Sequence, residues 1–328
     1  MQELLFELKG PHYDLASAEV KCALEGSDST YRIVDICSGV LHVETSVEPK
    51  KIGRRLGLTH RIYYHILNCD ETELIEGTSG IRLPPGSASV STRRIQGKKA
   101  RTEDINIGLG SEISKRNAID LDRPDHRIIV MISDKYFVGR LAYEIDNKPF
   151  QNRLSRNRPF FSPVSLEPKL ARALINLARP KEGAYIHDPF CGTGGILLEA
   201  GDMNLNASGG DIDERMVRGS KENLEFYGFD VSVVQGDVSE STSKDLDCIV
   251  TDPPYGRSSS SQGEDICRIY RRLFETSSEC LKNKGYLSVI FPDKSYYEIG
   301  SKYMEPVEMY RVYVHNSLER FFCVFRKQ

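Results

Sequence analysis

Pro253 and Pro254 stand directly after the apolar run Asp247-Cys248-Ile249-Val250-Thr251, and that junction limits the possible folds more than any other stretch. The run has the length and β-branched content of a strand buried in a parallel sheet. Two consecutive prolines donate no ladder hydrogen bonds, so the sheet must stop there. The lip of that strand therefore carries Asp252, the Pro253 carbonyl, the ring of Tyr255 and the flexible Gly256. Open α/β sheets bind ligands at this edge. Asp, Pro and Gly also make ordinary surface turns, so the surrounding pattern has to decide.

From Ala184 onward, strands and helices alternate in the manner of a doubly wound sheet. Strand candidates are Ala184 to His187, Ala207 to Gly210, Val231 to Val234, the run before Asp252, and Tyr286 to Phe291. Helices are expected up to Glu199, from about Glu214 to Phe226, and from about Asp265 to Leu281 after a Ser-rich loop. The runs Met309 to Val314 and Phe321 to Phe325 would close the sheet as a hairpin. A helix is expected to lead in from Pro163, with Ser165 as its N-cap and Pro168 in its first turn. Residues 148–162, with Arg153, Arg156 and Arg158 and no acid after Lys148, are expected to be a linker before a C-terminal domain over 163–328.

The front half reads differently. Residues 1–69 run strand-helix-strand-strand-helix-strand, with Asp14 as the expected N-cap of the first helix; this is the ferredoxin-like order. Leu83-Pro84-Pro85-Gly86 breaks the chain within a second region, 70–147. A strand over 87–95, a helix over about 102–116, a short extended run over 118–121 and a hairpin of 128–132 with 136–143 are expected there. Two basic clusters contain no acid: Lys50, Lys51, Arg54, Arg55, His60 and Arg61, then Arg93, Arg94, Lys98, Lys99 and Arg101. A solvated face is one reading of such runs. The second cluster, on a strand end and loop before a helix, is the stronger candidate for phosphate contacts.

The whole chain has 44 Lys and Arg against 47 Asp and Glu over 328 residues, so any nucleic-acid affinity must come from local patches. Eight cysteines without a CxxC pair form neither a zinc framework nor a disulfide scaffold, and no metal is expected. The start, Met1-Gln2-Glu3-Leu4, is acidic with a short apolar run, so no signal peptide or membrane span is expected and a cytosolic protein is.

Asp188-Pro-Phe-Cys191-Gly192-Thr193-Gly194-Gly195 follows the first strand of the C-terminal sheet. Glycines here let the backbone pass close to a ligand. No Gly-Lys-Ser/Thr follows, and GxGxxG is not matched, which excludes the phosphate-loop and dinucleotide fingerprints. Asp211-Ile212 ends the next strand and Asp237-Val238 follows the third. Acids at three successive strand ends suit a ligand with an amino group near Asp188, ribose hydroxyls near Asp211 and an adenine amino group near Asp237. S-adenosylmethionine has all three. The Asp252 lip suits methylation of an amino group on a planar base. Such a nitrogen is a poor nucleophile until acceptors, here Asp252 and the Pro253 carbonyl, draw its hydrogens and lone pair out of the ring plane, while Tyr255 stacks on the base.

With these motifs the chain resembles class I S-adenosylmethionine-dependent methyltransferases of the amino-methylating kind, with a Rossmann-like C-terminal sheet. The front half resembles an α+β ferredoxin-like region followed by a THUMP domain, an RNA-binding module. Together with Arg158-Pro-Phe-Phe-Ser-Pro163 and His315-Asn-Ser-Leu-Glu-Arg320, the whole is similar to the archaeal tRNA guanosine-10 N2-methyltransferases. The resemblance implies that Asp188, Cys191, Gly192, Thr193 and Gly194 line the methionine and ribose end, Asp211 and Ile212 the ribose, and Asp237 and Val238 the adenine. Asp252, Pro253 and Tyr255 would hold the guanine, and Phe161 with Ser165 would close over the cofactor, leaving S-adenosylhomocysteine as product. Cys191 is then a turn residue, not a nucleophile. The expected partner is tRNA, gripped by Arg93, Arg94, Lys98, Lys99, Arg101, Arg153 and Arg156; no DNA, membrane or dedicated activator is implied. Methylation of another tRNA or ribosomal guanosine such as tRNA position 6, methylation of adenine N6, and a non-catalytic RNA-binding module stay open as alternatives.

Overall fold

The computed structural model describes residues 1–96, 101–163, 165–240, 244–255, 265–315 and 318–328. Lys98 and Lys99, Gly256, the Ser-rich loop and the Asn-Ser of the 315–320 motif lie outside the described residues. The chain divides into two compact units, one of residues 1–17, 29–54 and 59–145, the other of residues 18–28, 55–58 and 146–328.

In the first unit and its shared helix, the elements are β1 (Gln2–Leu8), α1 (Tyr13–Glu25), β2 (Tyr31–Cys37), β3 (Val40–Thr45), α2 (Pro49–Gly53), β4 (Thr59–Cys69), α3 (Leu74–Thr78), β5 (Ala88–Arg94), α4 (Thr102–Ser114), β6 (His126–Ile132) and β7 (Tyr136–Glu144). The first four strands take the order β2-β3-β1-β4, the ferredoxin-like arrangement expected for residues 1–69. The sheet does not stop at that region. β4 pairs antiparallel with β7, and the order continues β7-β6-β5, giving one seven-stranded sheet. Leu5, Val40 and Tyr63 pack with Ile129, Met131 and Phe137 in one apolar cluster, so residues on both sides of position 70 share a core. Asp14 is not the cap of α1 but lies within its first turn.

The second unit adds α5 (Lys148–Asn152), α6 (Pro168–Leu177), β8 (Tyr185–Asp188), α7 (Gly195–Asp202), β9 (Asn206–Asp211), α8 (Glu214–Phe226), β10 (Ser232–Gln235), β11 (Leu246–Thr251), α9 (Ile266–Cys280), β12 (Leu281–Phe291), α10 (Ser295–Gly300), β13 (Glu305–His315) and β14 (Leu318–Arg326). The sheet order is β10-β9-β8-β11-β12-β14-β13, parallel from β10 to β12 and antiparallel over the closing hairpin. Strand order reverses between β8 and β11, the place where open α/β sheets form their ligand crevice. Helix α6 starts later than the sequence suggests, at Pro168 behind an extended Glu167. Proline disfavours helical geometry in the residue before it and tolerates the first helical position, so the boundary falls there and Ser165 is left outside.

Residues 148–162, expected as a linker, are packed into the second unit: Phe150, Arg153 and Arg158 are all buried. Buried Glu19 explains why residues 18–28 and 55–58 belong to the same unit. Its carboxylate accepts the Gly57 and Leu58 N–H groups at 2.8 Å and the Asn176 amide at 3.0 Å. No helix among the described residues is long and apolar enough to cross a membrane.

Candidate active site

At the reversal of strand order, the second unit encloses a cavity of about 370 Å³ lined by residues from the ends of β8, β9, β10 and β11 and from β14. Gly192 (φ 50°) and Gly194 (φ 79°) turn the backbone through the left-handed region, which only glycine enters at little cost. A Cβ at Gly194 would stand 2.6 Å from the Ser220 hydroxyl, so space as well as dihedral angle reserves this position. The turn delivers the amino end of α7 to the cavity, a place that favours negative charge.

Asp188 is buried at 1% exposure, and burial pushes its carboxyl up to about 7. The Thr251 hydroxyl and the Phe190 N–H, both donating to Oδ1, oppose that rise only in part. A carboxyl held this way gains from a cationic amine placed beside it, because the amine returns the charge that burial penalises. Asp211 accepts the Gly192 N–H at 2.9 Å on one oxygen and the Asp213 N–H at 2.9 Å on the other, which holds the glycine turn against β9. Burial raises Asp211 as well. Asp237 accepts from the Ser239 N–H and hydroxyl on Oδ1, while Oδ2 lies 3.1 Å from an Arg272 guanidinium nitrogen.

At the other side of the cavity, the Tyr255 hydroxyl donates to Asp252 Oδ1. Burial raises the Asp252 carboxyl, and the Arg320 charge and that hydrogen bond pull it back. The Arg320 guanidinium carbon lies 5.6 Å from the centre of the Tyr255 ring. Tyr270 donates to the Pro254 carbonyl at 3.1 Å, which braces the two prolines from α9. This wall of the cavity is thus made by the Asp252 carboxylate, the two prolines and the Tyr255 ring.

Asp188, Cys191, Gly192, Thr193, Asp211, Ile212, Asp237, Val238, Asp252, Pro253 and Tyr255 thus all line one cavity. Gly194 shapes the turn without lining it. Cys191 is 5% exposed and its thiol is pushed well above the ordinary range by burial, as befits a turn residue. Ser165 lines the cavity and shares a 2.9 Å hydrogen bond with Thr193, whereas Phe161 is exposed and not among the lining residues. Sequence reasoning gives no role to Thr251, Arg272 or Arg320. Thr251 is within its reach, since it sits between a buried strand and Asp252; Arg320 stands out only as part of a motif.

One expected RNA contact is corrected. Arg153 is 4% exposed, with Nε 2.7 Å from Glu199 Oε1 and Nη1 2.9 Å from Asp202 Oδ1. Arg172 closes the network onto the same two acids, and its guanidinium lies 4.9 Å from the Phe150 ring centre. A guanidinium enclosed by two carboxylates has no face left for phosphate. Arg93, Arg94, Arg101 and Arg156 are exposed, Arg93 with its Nε 3.2 Å from buried Glu7. In the first basic cluster, Arg55 donates to the Pro180 carbonyl at 2.9 Å and Arg61 pairs with Glu7 and Glu144.

Residues 155–320 match the family described as RMKL-like, methyltransferase domain. The tRNA (guanine(10)-N2)-dimethyltransferase of Methanothermobacter thermautotrophicus is 33% identical over 339 residues, covering 99% of both chains. The enzyme of that name from Pyrococcus abyssi is 32% identical over 97% of this chain and 98% of its own. Among solved structures, TrmN from Thermus thermophilus superposes with a TM-score of 0.57 over 99% of this chain and 100% of its own, at 20% identity, a likeness of fold. Full-length identity at this level, on a Rossmann-like methyltransferase sheet, means that this chain belongs to the archaeal tRNA (guanine(10)-N2)-dimethyltransferase family.

Proposed function

We propose that this chain transfers a methyl group from S-adenosylmethionine to the exocyclic N2 of guanosine 10 in tRNA, giving N2-methylguanosine and N2,N2-dimethylguanosine. The observation that carries the reading is the convergence of Asp188, Asp211 and Asp237 with the Asp252-Pro253-Pro254-Tyr255 lip on one cavity. The donor set fits the cofactor: Asp188, raised by burial, would hold its ammonium, Asp211 its ribose, and Asp237 with Val238 its adenine. When bound, S-adenosylmethionine supplies an electrophilic sulfonium methyl.

Asp252 Oδ2 and the Pro253 carbonyl accept the two hydrogens of the guanine amine. Tyr255, tied to Oδ1, keeps the carboxylate turned toward that amine and offers its ring to the base. The nitrogen lone pair then points out of the ring plane toward the incoming carbon. Methylation of the amine would release one of its hydrogens as a proton, and Asp252 would be placed to receive it. Holding the reacting atoms in line is worth roughly 7–11 kcal/mol of barrier. The target base must leave its stack to reach the lip, least costly where it is weakly paired. THUMP-type binding by the first unit, with Arg93, Arg94 and Arg101 on tRNA phosphates, would set register without reading bases.

The test is a transfer assay with labelled S-adenosylmethionine and unmodified tRNA transcript, followed by nucleoside mapping. Label in N2-methylguanosine or its dimethyl form at position 10 supports the reading, and their ratio over time reports the number of methyls. Label at another guanosine moves the substrate. Label in N6-methyladenosine overturns the assignment of the lip to guanine.

A further inference from the structure

Three side chains far apart in sequence meet on the first unit's sheet: Glu3 on β1, His42 on β3 and His65 on β4. Strand β1 lies between β3 and β4, with Leu5 opposite His42 and Leu4 opposite Tyr64, so the three side chains come from three adjacent strands. Glu3 Oε2 is 2.9 Å from His42 Nε2 and 2.9 Å from His65 Nδ1. The two imidazole centres are 4.1 Å apart. His42 has 2% of its side chain exposed, His65 15% and Glu3 45%, so the cluster is enclosed on the ring side and open to solvent on the carboxylate side.

One tautomer of His65 leaves a ring nitrogen free for a cation. His65 Nε2 lies 3.2 Å from the Asn68 side-chain oxygen, and a hydrogen donated there leaves Nδ1 a bare lone pair facing the Glu3 carboxylate. A second hydrogen on the ring would make it an imidazolium beside another imidazole. Two ring nitrogens and a carboxylate oxygen thus lie within 4.8 Å of one another.

We propose that Glu3, His42 and His65 bind one divalent transition-metal ion of the zinc type, through His42 Nε2, His65 Nδ1 and Glu3 Oε2, with a fourth position open to water. Two imidazoles and a carboxylate are a donor set that zinc accepts, whereas calcium and magnesium favour oxygen donors. Tetrahedral ligands at zinc distances stand about 3.3–3.4 Å apart, so the carboxylate moves outward by about 0.4 Å to admit the ion. The ion ties β1, β3 and β4 together. Positions 3, 42 and 65 have no metal-ligand spacing, which is why the sequence shows no metal site.

The test uses the full chain, stripped with a chelator and titrated with zinc by calorimetry and with cobalt by absorption. One equivalent should bind, raise the melting temperature, and give a cobalt spectrum without a thiolate charge-transfer band. Glu3→Gln and His65→Gln, at partly exposed positions, should melt like the metal-free parent. Each should weaken binding by more than about 100-fold, beyond the cost of losing an outer-shell partner. Absence of a bound equivalent, a thiolate band, or binding that survives both substitutions would overturn the proposal.

Discussion

Thr251 donates its hydroxyl hydrogen to Asp188 Oδ1 at 2.6 Å, and both residues are buried. Thr251 ends β11 one residue before Asp252, and Asp188 ends β8, its parallel neighbour. One hydrogen bond thus joins the wall of the cavity assigned to the cofactor with the wall assigned to the base. Thr251→Val keeps the volume and removes the donor. The variant should lose about 0.5–1.5 kcal/mol in denaturant unfolding, the usual net worth of one hydrogen bond, since Oδ1 keeps the Phe190 N–H. It should also bind S-adenosylmethionine more weakly, since Asp188 then resists ionisation more.

Asp188, with its carboxyl near 7, should make cofactor binding pH-dependent. Below that value the free protein holds a proton on Asp188, and pairing with the ammonium expels it. Affinity should therefore rise as pH increases through about 7 and level off above. Calorimetry in buffers of different ionisation enthalpy should find proton release on binding about a unit below that pH and little well above it. Asp188→Asn should bind weakly and remove the dependence; an unchanged dependence would assign it to another group.

Asp252→Ala should lower turnover by about 10²–10⁴-fold, the range for a lost acid–base group, while cofactor affinity stays close to the parent's. Tyr255→Phe keeps the ring and removes the hydrogen bond that lowers Asp252. Asp252 must be ionised to accept a proton, so raising it further should move the acid limb of kcat/KM to higher pH. A limb that stays in place would separate Asp252 from that ionisation.

Arginines in this chain divide into holders of the fold and candidates for RNA, and the two classes should answer different experiments. Glu199, at 0% exposure, is gripped by Arg153 and Arg172; Glu199→Ala leaves two buried guanidiniums sharing Asp202 alone and should cost about 3–5 kcal/mol of stability. Arg94→Ser and Arg101→Ser should leave the melting temperature almost unchanged. Each should lower the slope of log affinity against log salt for tRNA by about one for each phosphate that the guanidinium neutralises. A salt slope unchanged in both would place the RNA elsewhere.

Local chemistry alone determines much of this protein. Prolines 253 and 254 end a strand wherever they occur, and glycines 192 and 194 mark a turn that a side chain would obstruct. Acids at successive strand ends fall on one edge because alternating strands and helices leave a parallel sheet no other topology; the ferredoxin-like order of β1 to β4 is legible for the same reason. Long-range pairing is not legible, because no local propensity encodes it. Only the β4–β7 pairing merges two apparent regions into one sheet, and only the β12–β14 pairing brings Arg320 over Tyr255. Charge is the least readable feature. Arg153 and Arg101 look alike in sequence, but Glu199 and Asp202, about fifty residues on, enclose the first and leave it no phosphate to bind. Which polar groups end up together, at Asp188 and Thr251 or at Glu3, His42 and His65, depends on strand register across the sheet, and that is decided only when the core forms.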